Sequence, residues 1–106
     1  MNDSKWSGAE KKLAQRVYEE ARVAELAETL AEFKALVAAA TSVDEMWPLE
    51  GHLRNRRLAL DEKYQYRYSR LPLLFAQLIR EGRVAPARLE GLSQEKLDEI
   101  LQMASR

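Results

Sequence analysis

The sequence predicts an all-α protein: a long helical hairpin with a small C-terminal helical head, paired antiparallel with a second copy of itself. Three observations carry this. From Ala9 to about Ala40, Leu13, Val17, Ala21, Ala24, Leu30, Phe33, Val37 and Ala40 recur three or four apart, and Leu26 and Leu36 widen the stripe. Neither an alternating strand pattern nor an internal repeat occurs in the 106 residues. The first helix is also too long for its own domain. About 32 residues make a rod of roughly 48 Å, whereas a compact chain of this length is only roughly 33 Å across. An overhanging helix with an apolar stripe needs a partner, and a second copy is the simplest one.

The elements follow in order. Residues 1–8 are polar apart from Trp6 and are expected to be flexible. After Gly8 neither glycine nor proline interrupts a run rich in alanine, leucine, glutamate and lysine, all strong helix formers. The run stops at Thr41-Ser42. Ser42 with Glu45 forms a capping-box pattern, and Asp44 and Glu45 suit the positive end of a new helix dipole. Pro48 lacks an N–H and crowds the preceding turn, which predicts a kink or a restart. The second helix then runs to Tyr68 or Arg70, because Leu71 precedes Pro72 and is pushed from helical angles. Pro72 opens a third helix, Pro72–Glu81, and Gly82 stops it. Its Leu73, Leu74, Phe75, Leu78 and Ile79 make it a buried helix. A short turn spans Pro86 to Gly91, and Ser93 caps a last helix, Gln94–Ala104, with Leu97, Ile100, Leu101 and Met103 inward. The division is one domain, 1–106, with a hairpin and dimerisation part at 9–70 and a head at 71–106.

Composition narrows the function. Seventeen basic side chains balance 17 acidic ones, so no net field recruits nucleic acid or acidic lipid. Residues 1–50 carry six basic and ten acidic groups, and residues 51–106 carry eleven and seven. That polarity either guides antiparallel pairing or merely reflects solvated helix faces. Cysteine is absent, which removes disulfides and thiolate chemistry. His52 is the sole histidine, and Glu50 precedes it by two, off the register of a Glu-x-x-His metal motif. The four glycines are isolated, so no phosphate-cradling loop forms. The expectation is a protein without catalysis, cofactor or metal. The opening Met1–Lys5 lacks the apolar stretch of a signal peptide. The uncharged run Ala35–Val43 is far short of the roughly 20 residues that span a bilayer. A cytoplasmic protein with no membrane insertion is expected.

The candidate site lies on the second helix. At 100° per residue Leu49, Leu53 and Leu60 share a stripe with Met46 and Tyr64 beside it, and Trp47 stands roughly 130° away. With Trp47 lie Glu50, Gly51, Arg54 and Asp61, with Arg57 at the border. Gly51, one turn beyond Trp47, leaves a notch. A tryptophan, a notch and a charged rim of both signs compose a protein-binding hot spot. The other reading packs Trp47 beneath the first helix or across the dimer seam. The run Lys63-Tyr64-Gln65-Tyr66-Arg67-Tyr68-Ser69-Arg70 also divides two ways. Tyrosines interleaved with arginines can grip single-stranded nucleic acid. Tyr64 and Tyr68, four apart, also fit a core stripe.

The ordered set Asp44-Glu45-Met46-Trp47, Leu49, Leu53, Arg57, Asp61-Glu62-Lys63-Tyr64, Arg67, Ser69, Phe75-Ala76-Gln77-Leu78 and Glu81-Gly82 resembles the fluorescence recovery protein family. The resemblance runs more thinly from Trp6-Ser7 through Leu89, Leu92 and Lys96 to Ile100. It implies an all-helical antiparallel dimer without cofactor or catalysis. It also implies binding to the photoactivated orange carotenoid protein of cyanobacteria, chiefly to its C-terminal domain. Binding speeds that partner's return to the resting orange form and ends antenna quenching, a shift of population toward the state the regulator prefers. In a cyanobacterium this places the protein on the cytosolic side of the thylakoid, near the phycobilisomes. Trp47 and Arg57 fall on family positions implicated in the contact. Glu50 and Gly51 stand where the family has histidine and aspartate, Leu73 where it has a bulky aromatic, and Glu99 where it has lysine. The site expected is therefore Trp47, Glu50, Gly51, Arg54, Arg57, Asp61 and Leu73. The alternative is a family-like dimer with a different or lost partner.

Overall fold

The structure, a computed structural model, describes residues 5–106; the first part of the N-terminal stretch expected to be flexible lies outside the described residues. Four helices form: α1 (Gly8–Ala39), α2 (Met46–Lys63), α3 (Leu71–Arg80) and α4 (Gln94–Ala104). Tight helical turns occupy Val43–Glu45 and Pro86–Leu89, and no strand occurs among the described residues.

Element bounds differ from the sequence pattern where local chemistry outweighs it. α1 begins at Gly8 because Ser7 and Glu10 close a capping box: Ser7 Oγ accepts the Glu10 N–H at 3.1 Å, and the Glu10 carboxylate accepts the Ser7 N–H at 2.9 Å. The box expected at Ser42 does not close. The Ser42 side chain caps nothing, and Glu45 instead accepts the Thr41 N–H at 2.6 Å. α2 therefore starts at Met46, which puts Pro48 in its first turn, where a missing N–H costs no helical bond. The chain restarts ahead of the proline.

α2 also ends at Lys63, short of the expected Tyr68 or Arg70, with Tyr64 at φ −97 and ψ 67. Tyrosines two apart diverge on a helix but share a side on extended chain. Leaving the helix lets Tyr66 and Tyr68 meet, ring centroids 5.5 Å apart. α3 starts at Leu71 with Pro72 in its first turn. It closes on Gly82 at φ +75, where the Arg83 N–H reaches Leu78 O at 2.9 Å and the Gly82 N–H reaches Ile79 O at 3.0 Å. Those two bonds are a Schellman motif, and the positive φ requires the glycine.

The described chain divides into two compact units. One comprises the described part of Met1–Ala21 with Gln65–Arg106. Its centre is Phe75, Leu71, Leu78, Leu89 and Ile100, with Val17 from α1, all essentially sealed. Each such side chain contributes about 1.5–3 kcal/mol by burial. Trp6 belongs to this core rather than to a loose end. It is 6% exposed, its ring lies 5.4 Å from that of Tyr68, and the Lys96 ammonium sits 5.1 Å above it. Glu10 ties the same corner by accepting the Ser93 N–H at 2.8 Å and the Lys96 Nζ at 3.3 Å. Arg80 Nη1 donates to Met103 O at 2.9 Å, satisfying a carbonyl at the end of α4.

The other unit, Arg22–Tyr64, contains the later part of α1 and all of α2. It has almost no apolar core: Leu60 and Tyr64 are its only buried apolar side chains. What it buries at its centre is a carboxylate. Glu25, 3% exposed, accepts the Tyr64 hydroxyl at 2.6 Å and the Lys63 Nζ at 2.7 Å, and pairs with Arg56 at 3.4 Å. This network fastens α2 to α1 within the unit.

Candidate functional site

Six of the seven expected site residues stand on α2, all in one unit; Leu73, half exposed on α3, belongs to the other. Trp47 is the second residue of α2 and is 69% exposed, which excludes packing beneath α1 in the single chain. Its neighbours are organised by helical spacing. Glu50 pairs with Arg54 at 3.5 Å and Arg57 with Asp61 at 3.8 Å, each four residues apart. All four side chains are well exposed, so each pair is worth at most about 1 kcal/mol. Their effect is to order the rim. A Cβ added at Gly51 would meet nothing within 4 Å. No packing inside the chain demands a glycine there, and the space beside Trp47 is open.

Leu58 was not among the expected residues. It is 60% exposed and lies eleven residues, three helical turns, beyond Trp47 on the same face. The sequence signal was available in that spacing, but a search for polar rim residues passes over a leucine.

The opposite side of α2 carries the stripe read as core, which is buried only toward its C-terminal end, at Leu60 and Tyr64, and is open toward its start. Leu53 and Met46 are exposed and Leu49 is half buried. With Phe33, Val37 and Val43 they line an open apolar groove of about 650 Å³. The stripe on α1 behaves the same way. Ala14, Val17, Tyr18 and Ala21 are buried, whereas Leu26, Leu30, Leu36 and Val37 are exposed. Among the described residues, ten of the thirteen exposed large apolar side chains lie in Arg22–Tyr64.

The tyrosine–arginine run is differently arranged. Tyr64 is buried on Glu25, Tyr68 lies against Trp6, and Tyr66 stands edge-on to Tyr18 at 4.9 Å. Burial, helped by the Tyr68 hydroxyl, pushes the Tyr66 phenol up to about 12. Tyr64 and Tyr68 are committed to packing and Tyr66, though 38% exposed, is held edge-on by its neighbours, so the run does not form a free stacking platform. Among the described residues no group of three or more His, Cys, Asp or Glu side chains is placed to hold a metal ion. No described helix is long and apolar enough to cross a membrane.

Comparisons with known proteins agree over nearly all of the chain. Residues 6–104 match the family described as photoprotection regulator fluorescence recovery protein. The fluorescence recovery protein of Synechocystis sp. is 33% identical over 102 residues, covering 96% of this chain and 94% of that one. The solved structure of the Fremyella diplosiphon fluorescence recovery protein superposes with a TM-score of 0.87 at 30% identity, covering 95% of this chain and 99% of that one. The Synechocystis structure does so with a TM-score of 0.87 at 34% identity and the same coverage.

Proposed function

Because the chain belongs to the fluorescence recovery protein family of photoprotection regulators, we propose that it binds a photoactivated orange carotenoid protein, or a related carotenoid-binding domain, and accelerates its return to the resting form. The observation that carries this reading is the α2 face: an indole 69% open to solvent, an empty position at Gly51 and two helical ion pairs holding the rim. Such a face binds by burying the aromatic anchor within a ring of polar contacts. A partner that favours the compact state lowers the cost of reaching it. The regulator acts by differential binding, without a cofactor, from the cytosolic side of the membrane.

Two copies act together. The apolar groove and the exposed half of the α1 stripe give Arg22–Tyr64 an unpartnered apolar surface of the kind that marks an interaction site. A second chain lying antiparallel covers it. Trp47 lies roughly 130° around α2 from the groove stripe, so pairing there leaves the indole outward.

The test is the red-to-orange decay of a photoactivated orange carotenoid protein in the dark. Added protein is expected to speed it, and Trp47→Ala to abolish most of the acceleration while leaving the solution mass unchanged. Decay unaffected by the parent protein across several such partners defeats the reading.

A further inference from the structure

The Trp47 face contains a second apolar anchor, and its charges are already spoken for. Leu58 repeats the azimuth of Trp47 to within about 20° and lies about 16 Å further along the axis. It is 60% exposed, on a helix whose other large open side chains belong to the indole's face or to the groove. Between the anchors run Glu50–Arg54 and Arg57–Asp61. Each arginine on that edge has an acidic neighbour one turn away, so the edge carries no net charge toward a partner. A lone exposed leucine needs no explanation. Here two large apolar side chains flank an empty position on one face, with self-neutralised pairs beside them.

We infer that Leu58 is a contact residue of the partner site, and that the partner presents an uncharged apolar ridge spanning both anchors. This rests on the proposed reading, with the same carotenoid-binding protein as occupant. Charge complementarity selects that chemistry. A strongly acidic or basic partner surface would exchange two exposed pairs, each of little worth, for two similar ones and so gain little. An apolar ridge gains the burial of indole and leucine and leaves the pairs intact. The two anchors lie away from the groove stripe, and Glu50, which also lines the groove, marks the boundary between the two surfaces.

The experiment measures the Kd for the photoactivated carotenoid protein at low and high sodium chloride, together with the recovery rate. The variants are Leu58→Ser, Leu58→Met, Trp47→Ala and, as an off-face control, Ala59→Ser. Expected are a loss of about tenfold or more in affinity for Leu58→Ser, as for removing a buried leucine from a contact. Leu58→Met is expected to restore most of it, and Ala59→Ser to change little. Affinity is expected to vary less than about threefold with salt, because closed pairs leave little long-range attraction to screen. Circular dichroism and solution mass confirm that the variants fold and pair alike. If Leu58→Ser binds like the parent while Trp47→Ala fails, the inference falls and the reading of the face stands. If neither change matters, both fall. A steep fall of affinity with salt overturns the apolar ridge.

Discussion

Replacing Glu25 with alanine should loosen α2 more than any change on its exposed faces. The carboxylate is 3% exposed and accepts from Tyr64 and Lys63 at 2.6 and 2.7 Å, with Arg56 at 3.4 Å. Removing it leaves a buried phenol hydroxyl, a lysine whose side chain is only 12% exposed and a half-covered arginine without their common acceptor. A buried pair broken from one side costs about 3–5 kcal/mol, because the remaining charges stay desolvated. At a urea m-value of about 2 kcal/mol/M for a chain of this size, the midpoint should fall by about 2 M with the slope unchanged. Circular dichroism in urea, at one fixed protein concentration, reads this directly.

The isostere refines the test. Glu25→Gln keeps one acceptor oxygen for the Tyr64 hydroxyl but loses the charge that answers Lys63 and Arg56. It should fall between the parent and Glu25→Ala. A midpoint shift for Glu25→Ala below that expected for about 1 kcal/mol would mean the network is not what holds α2. A glutamine variant worse than alanine would also refute the argument, since it would make the carboxamide, not the missing acceptor, the source of strain.

Three further outcomes follow from other positions. Leu53→Glu places a charge in the apolar groove and should convert the proposed dimer to a single-chain mass by light scattering; an unchanged mass puts the pairing surface elsewhere. Phe75→Ala, at a fully sealed position, should cost about 3–5 kcal/mol in chemical unfolding, with the loss in the Trp6 unit and therefore visible in Trp6 fluorescence. Glu10 is held below its ordinary value of 4.5 chiefly by the Ser7 N–H, then by the Ser93 N–H and Lys96, against the opposing effect of burial. Its folded value is depressed, so its contribution is complete above the unfolded value and disappears as pH falls through the lowered one. Acid titration of stability should therefore steepen below about pH 4.5 and flatten in Glu10→Gln.

The helices of this fold are legible because their signals are local. α1 follows from an uninterrupted run of strong helix formers, α3 from Pro72 and Gly82, and α4 from the Ser93 cap, whose side chain does accept the Lys96 N–H at 3.3 Å. The two errors at the ends of α2 have different causes. At its start Glu45 takes the Thr41 N–H, a local choice between two adjacent residues that the pattern leaves open. At its end Tyr64 leaves the helix for Glu25, 39 positions earlier in the sequence, and no periodicity reports a partner that distant. Trp6 was hidden for the same reason, since its neighbours Tyr68 and Lys96 lie far along the chain. The sequence carries no signal of Glu25's burial, because charged residues rarely lie fully buried, and its pairing with Tyr64, Lys63 and Arg56 explains it. Of the site, the α2 face could be placed from helical angles alone. The exposure of Trp47 could not, because the same angles suit a buried indole.

Gly51 puts stability and binding in opposition. In mid-helix a glycine costs about 0.5–1 kcal/mol relative to alanine, and at this position a Cβ meets nothing within 4 Å. Gly51→Ala should therefore stabilise α2, and a gain near 1 kcal/mol raises the melting temperature by about 4–8 °C for a chain of this size. A methyl group at that place also fills the space one turn beyond Trp47, where a partner's ridge would seat. If the open position serves recognition, the variant melts higher and accelerates carotenoid-protein recovery less, the trade expected where a site is kept at the expense of its scaffold. A variant that melts higher and recovers its partner equally fast would show the glycine to be incidental. One that melts lower would mean that α2 departs here from the helix described.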